Sequence, residues 1–290
     1  DITLRDFVKD EFKAYVQGHY KSAKNVFSML NKRILPHFGD RILNTITKKE
    51  MAAFHLDLVN KVSGTSANRY LALLSSLFKM GLDLELIETN PCRGVQKAQE
   101  NKSRDRYLHP DEFERFIKVL ESNLDKSSYQ LIFILIALGL RKGELLNLQW
   151  VDVHLSDSTI YLRAPKNGQP RYAAVNSVAL ELLTKMHKKR RRSCPWVFPS
   201  KKSKSGHLVD IRRPFKAICE AAKIKNIRPH DLRRSHATQL LNSGVDVMIV
   251  KEILGHKSLK STQVYARVTT TSMAKSSEIA AEKIRGAMNG

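Results

Sequence analysis

Acidic residues are scarce. The 290 residues hold 28 Asp and Glu against 50 Lys and Arg, a formal net charge of +22. An excess of that size speaks for a polyanionic partner, nucleic acid first and a lipid surface second. Cysteine is scarcer still. Cys92, Cys194 and Cys219 lie far apart without any Cys-x-x-Cys spacing. That argues against a zinc site or disulfide framework and for a reducing compartment. The chain has no apolar run of bilayer-spanning length and no secretory signal pattern, so no membrane partner is expected and the cytoplasm is the expected location. It also lacks a Gly-rich Lys-Ser/Thr phosphate loop and clustered carboxylates suited to Mg²⁺, so no metal and no cofactor are expected. Asp1 stands where an initiator Met is expected, which fits a piece of a longer chain.

What is present suits two domains, since 290 residues with 42% hydrophobic and 27% charged side chains exceed one typical unit and bury a substantial core. The charge is uneven: residues 1–100 hold 15 Lys/Arg against 11 Asp/Glu, residues 101–290 hold 35 against 17. In the first part Leu4, Phe7, Val8, Phe12, Tyr15 and Val16 follow helical spacing. Val26, Phe27, Met29, Leu30 and Ile34 repeat it, with Pro36 and Gly39 as the expected stop. Thr47 to Glu50 has the form of a capping box ahead of Met51, Phe54 and Leu58. A further helix is expected from near Ser66 to about Leu82. Four or five helices with short connections predict a small bundle over residues 1–92.

Residues 93–106 are polar, basic and without periodicity, and read as an interdomain linker. From residue 107 to 290 the pattern is mixed. Phe113, Phe116, Ile117 and Leu120 predict a helix, and the all-apolar run Leu131–Leu140 predicts a buried central one. Two β-rich segments, Thr159–Ala164 and Arg171–Val175, flank Asn167-Gly168, a hairpin turn signal. Helices resume near Val178. Residues 185–225 carry 14 Lys/Arg and only Asp210 and Glu220 as acids, which reads as solvated loops or non-specific phosphate contact. A weakly amphipathic helix is expected over 271–287, within a C-terminal segment 271–290.

Candidate chemistry collects in Arg228–Tyr265. His230 and Arg233, three apart, share a helix face and can address one ligand together. His236 is a rival to His230. Singly, each candidate has a plain structural reading. Arg141 pairs naturally with Glu144, Lys166 is a solvated turn lysine, His256 after Gly255 fits a helix end, and Tyr265 fits packing.

Their order along the chain changes that reading. ALGLRKGELLNL around Arg141, PKNGQPR around Lys166, RPHDLRRSHAT around His230 and Arg233, and LGHKSLKSTQVY around His256 and Tyr265 resemble the four boxes of the tyrosine recombinase (phage integrase) family. The resemblance covers the whole second part. By layout, residues 1–90 also look like the family's core-binding domain. Leu138 stands where the family often has Thr, and Arg234 where many members have a second His; neither removes a proposed catalytic group.

The resemblance implies a mainly α fold: a helical core-binding (SAM-like) domain, then an α+β catalytic domain with a small β-hairpin sheet. It implies a site-specific recombinase, of a phage or other mobile element, that cleaves and rejoins duplex DNA through a 3′-phosphotyrosyl link. Arg141 and Arg233 would hold the phosphate, with Glu144 orienting Arg141 or His230. His230 and His256 would assist, Lys166 would protonate the leaving 5′ oxygen, and Tyr265 would attack. The implied partners are double-stranded DNA clamped between the two domains, three further copies in a homo-tetramer, and accessory DNA-bending proteins. The implied setting is the nucleoid of a bacterial or phage-infected cell. Two other readings share these residues: a type IB topoisomerase, with the same chemistry but no synapsis, and a non-catalytic DNA-binding regulator that keeps the fold.

Overall fold

A computed structural model describes residues 2–20, 22–100, 105–163 and 169–255, and beyond them 258, 278, 281–282 and 284–288. The chain divides into two compact units, Asp1–Ser103 and Arg104–Gly290. The expected hairpin turn at Asn167-Gly168, and most of the helix expected over 271–287, lie outside the described residues.

The first unit is helical. Helix α1 (Leu4–Phe7) passes through a π-helical turn, Val8–Phe12, into α2 (Lys13–His19). Leu4, Phe7, Val8, Phe12 and Val16 are buried as their spacing predicts. Helix α3 (Ala23–Met29) continues through a second π-helical turn, Leu30–Ile34, into α4 (Leu35–Phe38), which ends at Gly39. Pro36 therefore does not stop this helix. It follows directly on the π-helical turn, whose wider winding accommodates the missing N–H, and the chain continues to Phe38. Thr47 and Glu50 form the expected capping box at the start of α5 (Lys48–Lys61), with Glu50 also held by Arg41. Helix α6 (Gly64–Asp83) buries Leu71, Leu74, Leu77 and Phe78.

The stretch expected to be a linker is partly tied down. Cys92 is buried in this unit's core, where burial pushes its thiol pKa up to about 12. Further on, the buried Asn68 accepts from the Ala98 amide (2.9 Å) and donates to the Ala98 carbonyl (2.9 Å) and the Glu100 carboxylate (3.0 Å). Its oxygen also meets His55 Nε2 at 3.1 Å. A buried amide needs partners on both sides, and the Ala98 backbone and the Glu100 side chain supply them.

The second unit is built around α8 (Ser127–Leu138), buried on every side from Leu131 to Ile136. Packed around it are α7 (Pro110–Glu121), α10 (Ser177–Lys189), α11 (Arg212–Ala221) and α12 (Pro229–Asn242). Between them lie a short α9 (Lys142–Leu146) and an antiparallel sheet of β1 (Val153–His154), β2 (Thr159–Leu162) and β3 (Arg171–Ala174) in that order. Strand β1 is an addition to the expected hairpin; its two residues pair with Ile160 and Thr159. Helix α13 (Val247–Leu254) packs on α12. Lys188, Lys189, Arg191, Arg192, Lys201, Lys202 and Lys204 are exposed, as a solvated basic face requires. No helix among the described residues is long and apolar enough to cross a membrane.

Candidate active site

The site begins where α8 stops. Gly139 caps α8 in the left-handed conformation at φ 61°, and a Cβ there would lie 2.6 Å from the His236 ring. Only glycine meets both conditions. The turn delivers Arg141 to the start of α9 and leaves the Gly139 carbonyl facing α12. There it accepts from Arg233 Nη1 at 2.8 Å.

Arg233 is 1% exposed, and its Nη2 donates to the Leu254 carbonyl at 2.5 Å. It thus fastens the α8 turn to the last turn of α13. Arg141 does the same one residue further along, donating from Nη2 to the Gly255 carbonyl at 3.1 Å. Its Nη1 bonds Glu144 Oε1 at 2.9 Å, while its amide bonds Glu144 Oε2 at 2.8 Å. The plain Arg141–Glu144 pair is therefore real, and it also aims Arg141: the guanidinium stays 39% exposed over a carboxylate that is 4% exposed.

A third arginine joins these two. Arg171 Nη2 lies 3.8 Å from Glu144 Oε2 and 3.3 Å from the Leu254 carbonyl. Two guanidinium groups thus share one buried carboxylate, which leaves a positive surplus suited to an anion. Motif matching names PKNGQPR for its lysine and passes over this arginine. The signal was in the strand alternation. Ala173 and Val175 are buried, and Arg171 shares their face, so an arginine points to the core side of a strand.

His230 occupies the first turn of α12, one turn from Arg233. It is open to solvent, yet its pKa lies below the ordinary histidine value. Partial burial of the ring is the first cause, followed by the positive charge of Arg233, with Arg234 and Arg141 adding to it against Asp231. A neutral imidazole at pH 7 is the form that accepts a proton. The rival His236 lies instead against Gly139, its pKa also lowered by burial. Arg234, where many relatives of this motif have histidine, is 3.8 Å from Asp105.

The structure thus brings together Arg141, Glu144, Arg233 and Arg171 at the end of α13, with His230 beside them. Lys166, His256 and Tyr265 lie outside the described residues. In sequence, His256 directly follows Gly255, and Lys166 precedes Arg171 by one hairpin turn.

The model of the phage integrase family matches residues 106–272, more than half of the chain. Tyrosine recombinase XerA of Pyrococcus horikoshii is 29% identical over 267 residues, covering 91% of this chain and 90% of that protein. The ICEBs1 integrase of Bacillus subtilis is 28% identical over 272 residues, covering 84% of this chain and 72% of that protein. The Tn1549 transposon integrase, solved in complex with circular intermediate DNA, shares the fold. Its TM-score is 0.75 at 19% identity, covering 95% of this chain and 99% of that one. The family match takes in all four motifs, over a fold that seats Arg141 and Arg233 on one helix end: the chain belongs to the phage integrase family and is a tyrosine-type site-specific recombinase.

Proposed function

We propose that this recombinase is the integrase of a phage or other mobile element, and that Arg141, Lys166, His230, Arg233, His256 and Tyr265 carry its chemistry. The observation that supports the assignment most is the convergence of Arg141 and Arg233 on the carbonyls of Leu254 and Gly255, the two residues before His256.

A phosphodiester under attack gains negative charge on its non-bridging oxygens. Fixed guanidinium groups stabilise that charge without reorganising, which is the role of Arg141 and Arg233. Tyr265 attacks phosphorus through its phenolic oxygen, and the phenol proton passes to neutral His230. The bond from phosphorus to the 5′ oxygen breaks, and that oxygen takes a proton from Lys166. The products are a 3′-phosphotyrosyl link and a free 5′ hydroxyl. His256 donates a hydrogen bond to the phosphate, and Glu144 orients Arg141. The link keeps the phosphoester energy, so religation needs no ATP.

In the same reading, residues 1–92 are a helical DNA-binding domain, 93–106 the linker and 107–290 the catalytic domain. The protein works on double-stranded DNA in the cytoplasm, at the nucleoid, as a homo-tetramer with accessory DNA-bending proteins. Capture on a library of nicked, randomised duplexes tests the chemistry. Wild type should yield an adduct that survives SDS, and Tyr265→Phe should yield none. An adduct from Y265F, or none from wild type, would refute the assignment and favour a DNA-binding regulator.

A further inference from the structure

Arg171 has no part in the chemistry just described, yet it is built into the site. It is the first residue of β3, opposite the buried Leu162, and its side chain is 19% exposed. A charged group on the core face of a strand is costly unless something uses it. Its Nη atoms reach the Ile253 (3.5 Å) and Leu254 (3.3 Å) carbonyls and, at 3.8 Å, Glu144. Its Nε finds no hydrogen-bond partner among the described residues. Gly255 is shaped to this side chain as well. It caps α13 at φ 64°, and a Cβ there would collide with the Arg171 guanidinium. Two separate demands, backbone conformation and the approach of Arg171, therefore fall on one glycine.

The connectivity gives this contact its meaning. Strand β3 pairs with β2, the sequence joining the two strands contains Lys166, and Gly255 is the last residue before His256. We propose that Arg171 is a positioning residue that fastens the β2–β3 hairpin, and with it Lys166, to the helix end from which the His256–Tyr265 segment starts. Its contact couples the placing of the proton donor to the placing of the nucleophile. The inference rests on the reading of Lys166 as proton donor and Tyr265 as nucleophile.

Single-turnover cleavage tests it. The substrate is a nicked duplex of the sequence captured by wild type, carrying at the scissile position either an ordinary phosphodiester or a 5′-bridging phosphorothiolate. The sulfur leaves as a thiolate and needs no proton. Arg171→Ala should slow adduct formation on the phosphodiester by about tenfold or more and lose most of that defect on the phosphorothiolate, as Lys166→Ala should. Arg171→Lys should fall between, since it keeps the charge but loses the fork; it carries the test if R171A fails to fold by thermal melting. Wild-type rates for the Arg171 variants, or equal loss on both substrates beside a relieved K166A, would overturn the inference alone. A K166A that the phosphorothiolate does not relieve, or a wild type that forms no adduct, would overturn the underlying reading and the inference with it.

Discussion

The two units solve the problem of buried polarity in opposite ways. Among its described residues the first keeps its core almost entirely apolar and admits one polar pair, His55 with Asn68, whose remaining hydrogen bonds go to the backbone at residue 98 and the side chain of Glu100. The second buries charge. Arg233 is 1% exposed and Arg171 and Glu144 are largely covered. A buried amide is a fastening and costs little once paired. Buried guanidinium groups cost more, and here a buried carboxylate and the carbonyls of one helix end offset that cost.

The sharpest way to break that contrast is Arg233→Ala. The loss of one fixed donor in a preorganised site should cut single-turnover adduct formation by about 10²–10³-fold. The Gly139 carbonyl would lose its donor as well, at roughly 1–3 kcal/mol, while the Leu254 carbonyl would keep only Arg171, so the second unit should also melt earlier. In the first unit the corresponding blow is apolar. Phe12→Ala should cost about 3–5 kcal/mol in denaturant unfolding of that unit, with the melting of the second unit unmoved. Smaller again is Asn68→Ala, which strands the Ala98 amide at about 1–3 kcal/mol. It should speed limited proteolysis within residues 98–104 without altering the near-ultraviolet signal of either core.

Proton linkage gives the smallest effect and a defined window. The folded-state pKa of His230 lies below its unfolded value near 6.5, and that of His236 does too. Between those two values the unfolded chain binds more protons than the folded one. Stability is therefore complete above about pH 6.5 and declines as pH falls through the window. The cleavage rate should likewise be flat above about pH 6.5 and fall on the acid side, as protonation removes the acceptor. An acid limb centred well above 6.5 would show that His230 is not that acceptor.

Much of this was legible in the sequence, for physical reasons that differ by residue. Helical periodicity exposed the buried faces of α1, α5 and α6 because each helix sets one stripe against one core. Leu131–Leu140 announced a central helix because nothing polar interrupts it. Pro36 misled, since a π-helical turn just before it lets the helix continue past the fixed ring, and sequence alone does not show that turn. Residues 93–100 read as free linker because a polar segment looks the same whether water or Asn68 takes its hydrogen bonds. In the candidate site, motif order pointed to Arg141, Glu144, His230 and Arg233, which the structure brings together. Motif order passes over Arg171 and Gly255; strand alternation marks the arginine as inward, but its contact joins a strand and a helix end more than eighty residues apart. Lys166, His256 and Tyr265 stand on their motifs.

The end of α13 has one more consequence. Carbonyl oxygens at the last turn of a helix form the negative pole of its dipole. Those of Ile253, Leu254 and Gly255 receive the donors of Arg171, Arg233 and Arg141. The helix end is thus a resident pseudo-ligand that keeps three cations aligned while no substrate is bound. On the proposed function, an arriving phosphate would find the guanidinium groups already oriented, and at Arg141, the most exposed of the three, it would compete with the Gly255 carbonyl and the Glu144 carboxylate. Anion binding would, in that sense, be a ligand exchange.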